Sequence, residues 1–165
     1  MNDEIYKRAE HVIKTAGEQG LTIATAESCT GGGIGAALTA VSGSSKVFEG
    51  GIISYSNAVK HSHLDVPLSI IKRHGAVSKH VACLMAENVR ANMNTDIAVS
   101  VTGIAGPTGG SKDKPVGTVW IGLAVKGQEA RAQHFLFDNN GRESIRIATI
   151  RAALETILTA LKLVN

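Results

Sequence analysis

The sequence predicts an α/β protein, a three-layer α/β/α sandwich around a mixed, mostly parallel sheet. Three observations predict it. Helical stretches alternate with short apolar runs as far as Thr102, the signature of a parallel sheet with crossover helices. Those runs are rich in small and β-branched residues, as strands covered on both faces are. Two late runs, Val116 to Val125 and Ala130 to Phe137, flank Gly127 and read as a hairpin that closes the sheet. The 165 residues suit a single domain spanning 1–165, with no repeat, linker or low-complexity tract.

Each element has its own warrant. Asn2 and Asp3 can cap a first helix, in which Ile5, Ala9, Val12, Ile13 and Ala16 recur at helical spacing until Gly20 stops it. Leu21 to Ala26 reads as a buried strand, followed by a polar turn and a helix of small residues from Ile34 to Val41. Phe48 to Ser54 reads as the second strand, with Gly50-Gly51 marking a bulge or a close approach. Tyr55 to Lys60 carries the chain out of that strand into a short helix. Pro67 suits the first turn of another, ended by Gly75. Ser78 can cap a longer helix with Val81, Leu84, Met85, Val89 and Met93 on one face, and Asp96 to Thr102 reads as a buried strand. Asn140 is expected to cap the last helix, with Glu143 as its capping-box partner.

Composition narrows the function. Apolar residues make up 44% and charged residues 19%, an ordinary globular mix. No apolar run approaches the roughly 18 residues of a membrane span. The N-terminus is polar and acidic, unlike a signal peptide. Net charge is +3 with scattered lysines and arginines, which suits a phosphorylated small molecule and is too weak to argue for nucleic acid. Cys29 and Cys83 form no CxxC, so a reducing cytoplasm and no disulfide framework are expected.

Chemistry concentrates at Thr25-Ala-Glu-Ser-Cys-Thr-Gly-Gly-Gly33, between a strand and a helix. A helix N-terminus has unpaired N–H groups and a dipole that favours anions. Ser28, Cys29 and Thr30 are candidate nucleophiles or hydrogen-bonding groups there. Gly31 to Ala36 nominally fits the dinucleotide fingerprint GxGxxA. However, Glu-Ser-Cys-Thr separates it from the strand, and Glu49 falls at the start of the next strand rather than its end. Ser28 needs a base, and no histidine occupies a suitable loop. His61 and His63, two residues apart, would diverge on a helix and make no metal site. A lysine made neutral by burial can act instead. Lys60 and Tyr55 follow the second strand, and if it lies parallel to the first, both come near Ser28. The bland alternative is that Ser28 and Thr30 cap the helix, Tyr55 packs and Lys60 is solvated. Cys29 competes as nucleophile, but a small buried hydrophobe is the favoured reading. Two SxxK matches, Ser69 to Lys72 and Ser111 to Lys114, lack the companion SDN and KTG motifs. The glycine-rich Gly103 to Pro115 segment reads as a second ligand-facing loop, where Lys112 and Lys114 either meet a phosphate or stay solvated. Arg142 in the first turn of the last helix opposes the dipole and hints at an anionic partner.

Five motifs together resemble the CinA C-terminal domain family: Ala26-Glu-Ser-Cys-Thr-Gly-Gly32, Tyr55-Ser-Asn57 with Lys60, His74-Gly-Ala-Val-Ser78, Thr102-Gly-Ile-Ala-Gly-Pro107 with Gly109-Gly110, and Lys114-Pro-Val-Gly-Thr-Val-Trp120. They run in order along nearly the whole chain, which looks like the family's stand-alone form. The resemblance implies hydrolysis of the carboxamide of nicotinamide mononucleotide to nicotinate mononucleotide and ammonia, recycling the ring into NAD synthesis. It implies Ser28 as nucleophile, Lys60 as base and Tyr55 as proton relay. Substrate contacts are implied at Glu27, Thr30, Gly31, Gly32, Ser45, Ser56, Asn57, Thr102, Gly103, Ala105, Gly106 and Arg142, with the glycine turns cradling nucleotide and oxyanion. No metal, organic cofactor, nucleic acid or membrane partner is expected, and a cytoplasmic homodimer is. The chain departs from the family's pattern twice. Asn140-Gly-Arg142 replaces Gly-Asp-Arg, which bears on how Arg142 is held, and Leu64-Asp-Val66 replaces Leu-Gly-Val at a turn. Two rivals are a non-catalytic pyridine-nucleotide-binding module and a competence- or damage-associated partner protein.

Overall fold

The computed structural model describes residues 2–164; Met1 and Asn165, the ends of the predicted domain, lie outside the described residues. The elements are α1 (Asp3–Gln19), β1 (Ile23–Glu27), α2 (Gly33–Thr39), β2 (Phe48–Ile53), α3 (Asn57–Leu64), α4 (Leu68–His74), α5 (Lys79–Asn92), β3 (Ile97–Gly103), β4 (Thr118–Val125), β5 (Arg131–Leu136) and α6 (Arg142–Leu163), with a 3₁₀ turn at Ser44–Lys46. The five strands lie in the order β2-β1-β3-β4-β5. β2, β1 and β3 are parallel, and β4 and β5 follow as antiparallel neighbours, so only β4 runs against the rest.

Alternation along the strands sorts the core into two layers. Ile23, Ile97, Val99 and Val101 face α1, α2 and α6. Ala24, Ala26 and Ala98 face Leu64, Ile71, Val81, Met85 and Val89 of α3, α4 and α5. Small residues on the second face let α5 lie close to the sheet. There the Ser100 hydroxyl donates to the Ala82 carbonyl at 2.6 Å, and a Cβ on Gly122 would stand 2.3 Å from the same oxygen. Gly51 has a similar reason, since a Cβ would meet Thr25 Oγ1 at 2.2 Å. The register slips by one residue at Glu49, which gives the bulge expected beside Gly50.

Most caps follow the sequence. Asn2 caps α1 and Gly20 ends it at φ +66°, while Ser78 caps α5. The capping box of α6 does not form. Gly141, not Asn140, is the residue before the helix, and no side chain caps it. Asn140 instead gives its backbone N–H to the Asp138 carbonyl, one residue too early for its side chain to reach the helix. Asp65 takes φ +50° at the end of α3, a left-handed residue that closes the helix.

Candidate active site

The C-terminal ends of β1, β2 and β3 meet because these strands are parallel neighbours. Ser28 directly follows β1 and its N–H donates to the Val101 carbonyl of β3. Ser54 follows β2 and its N–H donates to the Glu27 carbonyl. The chain then turns into α3, whose first turn is capped by the Ser56 hydroxyl accepting from the Val59 N–H at 3.2 Å. Lys60 lies on the inward face of α3, 2% exposed. Its amine reaches the Ser28 hydroxyl at 3.0 Å and donates to the Ser54 carbonyl at 2.7 Å. Burial pulls this amine down from 10.5 to about 8, because desolvation disfavours the charged form. A substantial neutral fraction near pH 8 makes it a competent proton acceptor.

Cys29 is turned into the core beside α2 and α6. Burial first, and the nearby Glu27 charge after it, push its thiol up to about 12, against the opposing pull of its backbone N–H, Lys60 and Arg142. A thiol so hard to ionise is a poor nucleophile, so the hydrophobe reading of Cys29 describes its surroundings.

Glu27 is not free to meet a ligand. It is 2% exposed, and its carboxylate accepts from the Thr30 hydroxyl at 2.6 Å and from the N–H groups of Gly32, Ile34 and Gly35 at 3.1, 3.0 and 2.8 Å. The anion expected at the mouth of α2 is therefore supplied by the protein. This corrects the expectation that the Gly31-Gly32 turn cradles a nucleotide through its N–H groups. Gly31 N–H is also committed, to the Ser28 carbonyl. Gly31 and Gly32 serve the turn instead, at φ +61° and +96°, a region that side-chain-bearing residues avoid. Among the described residues, the Thr30 N–H has no acceptor on this turn, and the Cys29 N–H meets only the thiol of its own residue.

The second glycine loop is likewise occupied by its own packing. A Cβ on Gly103 would meet Val119 at 2.6 Å, and one on Gly106 would meet Val116 at 2.6 Å. Ala105 is buried, and Thr102 donates its hydroxyl to the Ala76 carbonyl at 2.8 Å. Lys114 donates to the His74 carbonyl at the end of α4, the end where the dipole favours a cation. Lys112 is exposed. Ser45 is exposed in the 3₁₀ turn before β2, at the opposite end of the sheet from Ser28. Asn57 is exposed at the start of α3. His61 meets the Val66 carbonyl and His63 the Ser62 hydroxyl. Among the described residues no group of three or more potential metal ligands forms.

Tyr55 is placed differently from a relay between Ser28 and Lys60, whose atoms meet directly. Its ring is 60% exposed, and its hydroxyl accepts from Arg142 Nη2 at 2.7 Å. Successive side chains of an extended segment point oppositely, so Ser54 is buried and Tyr55 faces outward toward α6. Arg142 also donates from Nη1 to the Gly106 carbonyl at 2.8 Å. Arg146, one turn further along α6, donates to the Thr30 carbonyl at 2.8 Å. Sequence reasoning passed over Arg146. Its spacing of four from Arg142 on one helix face was the available signal. The site is thus a buried Ser28–Lys60 pair below a rim of Tyr55, Arg142 and Arg146. A groove of about 670 Å³ between β4–β5 and α6, lined by Ile121, Phe135, Phe137 and Ala152, contains none of the predicted site residues.

Comparison with known proteins matches the chain to one family. Residues 5–161 match the family model described as the CinA C-terminal domain. A CinA-like protein of Parasynechococcus marenigrum is 49% identical over 150 residues, covering 90% of this chain and 36% of the relative. One from Gemmatimonas aurantiaca is 49% identical over 140 residues, covering 85% and 32%. The chain therefore spans about a third of the length of these curated relatives. Among solved structures, the competence/damage inducible protein CihA from Agrobacterium tumefaciens superposes with a TM-score of 0.92 at 40% identity, covering 96% of each chain. A CinA superfamily protein from Klebsiella pneumoniae gives 0.91 at 28% identity, covering 98% and 99%.

Proposed function

Since the chain belongs to the CinA C-terminal domain family, we propose that it hydrolyses the carboxamide of nicotinamide mononucleotide, with Ser28 as nucleophile and Lys60 as base. The observation that carries this reading is the 3.0 Å approach of the buried Lys60 amine to the Ser28 hydroxyl. Burial beside that serine also pulls the amine down to about 8, where its neutral form is accessible. A solvated lysine or a merely capping serine would need neither contact.

The reaction runs in two halves. Neutral Lys60 takes the Ser28 proton as Ser28 Oγ attacks the amide carbon. The C–O bond forms and the carbonyl oxygen becomes an oxyanion. The N–H groups of Cys29 and Thr30, neither bonded to another residue, supply its hydrogen bonds, as the residue after the nucleophile does in other serine hydrolases. Lys60 then returns the proton to the departing nitrogen, the C–N bond breaks and ammonia leaves. In the second half a water gives one proton to Lys60 as its oxygen attacks the acyl carbon; the bond from that carbon to Ser28 Oγ then breaks, Lys60 returns the proton to Ser28, and nicotinate mononucleotide leaves. The Ser54 carbonyl holds the amine in place throughout. Arg142, with N–H groups to spare beyond Tyr55 and Gly106, is the rim cation for the substrate phosphate, which fits the weak positive charge of the chain. These steps draw on no cofactor.

Ammonia release from nicotinamide mononucleotide tests the proposal directly. Ser28→Ala should abolish turnover, and wild-type turnover in that variant overturns the assignment. The rate, kcat/KM, should rise with pH through about 8 as Lys60 loses its proton. A profile flat across that range counts against Lys60 as base. Binding of the nucleotide with no ammonia released would favour a receptor instead. Among the described residues no helix is long and apolar enough to cross a membrane. A cytoplasmic homodimer remains part of the proposal, checked by light scattering.

A further inference from the structure

We propose that Arg146 is a positioning residue for the nucleophile turn. It fixes Thr30, so that the N–H groups of Cys29 and Thr30 stay aimed at the developing oxyanion. The inference rests on the hydrolytic reading of Ser28.

Three contacts hold Thr30. Its hydroxyl donates to Glu27 at 2.6 Å, its carbonyl accepts from Arg146 Nη2 at 2.8 Å, and the same carbonyl accepts from the Gly33 N–H at 3.3 Å. Both lone pairs of that carbonyl are then used. Thr30 itself is fully buried. On its far side comes Gly31 at φ +61°, a residue that adds no side-chain restraint of its own. The guanidinium lies over this glycine, since a Cβ on Gly31 would stand 3.8 Å from Arg146 Nη2. Without Arg146, the peptide between Thr30 and Gly31 is tied only by bonds inside the turn and can rotate. The neighbouring peptide, which carries the Thr30 N–H, would rotate with it.

The choice of partner also points this way. The ion pairs of the described residues involve Arg8 and Arg151 with Glu4 and Glu155; Arg146 has no carboxylate partner. A partly buried guanidinium is spent on one backbone carbonyl, two residues from the nucleophile. Arg142 differs, because it reaches outward to an exposed hydroxyl and to another loop. Successive turns of α6 thus divide the work, one toward a ligand and one toward the catalytic turn. A donor lost from an oxyanion site lowers kcat by about 10²–10³ in a known protease. A donor that is merely misaimed should lose less, about tenfold or more.

The test compares wild type, Arg146→Ala and Arg146→Lys in two assays. In ammonia release, Arg146→Ala should lower kcat at least about tenfold with KM within about twofold, the signature of an interaction realised in the transition state. Free guanidinium at non-denaturing concentration should restore part of the rate. Arg146→Lys, which keeps one donor, should fall between and guards against a misfolded alanine variant. An unchanged kcat, or a change confined to KM, overturns the proposal. The second assay uses a fluorophosphonate probe and needs no nucleotide. Ser28 Oγ bonds to phosphorus, the P–F bond breaks, fluoride leaves and the Ser28 proton passes to Lys60. Labelling should slow at least about tenfold in Arg146→Ala. If wild type labels but releases no ammonia, the substrate reading fails and the labelling ratio alone decides Arg146, equal rates overturning it. A wild type that neither labels nor releases ammonia overturns both, and one that releases ammonia without labelling leaves kcat of the variants to decide Arg146.

Discussion

At the mouth of α2 the helix's free N–H groups are answered from within the protein; at the mouth of α6 they are not. Glu27 enters the first turn of α2 and gathers three N–H groups and a hydroxyl. α6 begins after Gly141 with no side-chain cap, and its first residue is a cation. Both ends carry the same partial positive charge. One is met by a buried carboxylate, which ties down the turn bearing Ser28 and takes up the N–H groups of Gly32, Ile34 and Gly35. The other gathers more positive charge at an exposed rim. Under the proposed function, the difference teaches where a phosphorylated ligand can add stabilisation. It is the α6 end, while the α2 end positions Ser28, the proposed nucleophile.

Breaking the α2 side should give the largest effect. Glu27→Ala leaves several buried donors without an acceptor, each worth about 1–3 kcal/mol. We expect about 3–5 kcal/mol of lost stability in urea unfolding, and a loss under about 1 kcal/mol would mean that the carboxylate is not the cap it looks to be. Breaking the α6 side should leave folding almost untouched and act on binding. Arg142→Ala is expected to raise KM by about tenfold to a hundredfold, the range of a hydrogen bond to a charged group, with the melting temperature little changed. Added salt should weaken wild-type binding more than that of the variant. A collapse in stability instead would assign Arg142 to the fold.

Lys60 sharpens the contrast, because on the α2 side the proposed base is itself a strain on the fold. Its folded pKa of about 8 lies below its ordinary 10.5, so the unfolded chain binds the proton more tightly. The penalty is complete below about pH 8 and fades as pH rises toward 10.5, so this group makes stability increase over that window. Lys60→Met should therefore be more stable at neutral pH by about 1–2 kcal/mol, while losing turnover. Chemical denaturation at pH 7 and pH 10 checks both the gain and its disappearance. The smallest effect should come from Asp65, away from either mouth. Its φ of +50° and its negative charge at a helix C-terminus are both unfavourable. Asp65→Gly should gain about 0.5–1 kcal/mol in thermal unfolding without altering KM.

Much of the fold was legible because its signals are local. Gly20, Ser78 and Pro67 mark helix ends through properties of their own backbone or side chain, and the apolar runs identify strands by composition. The cap of α6 misled because Asn140 and Gly141 are both plausible capping residues and one residue decides between them. In the site, Ser28 and Lys60 were legible as a pair only on the supposition that β1 and β2 run parallel. Glu27, Gly103 and Gly106 were read as ligand-facing, and the structure gives each a role in local packing or bonding that the sequence did not signal. A polar residue or a glycine in a loop has the same appearance whether it meets a substrate or its own neighbours.

Sequence alone determined which segments become helix and strand, which residues line the two core layers, and which side chains have nucleophilic or basic character. Those are properties of single residues and of spacing within one segment. The tertiary structure decided which of them meet. It set Lys60 in a dry site 3.0 Å from Ser28, turned Tyr55 toward Arg142 and filled the α2 terminus with Glu27. Burial and the side chain across a strand boundary depend on how distant segments pack, and no local pattern encodes either.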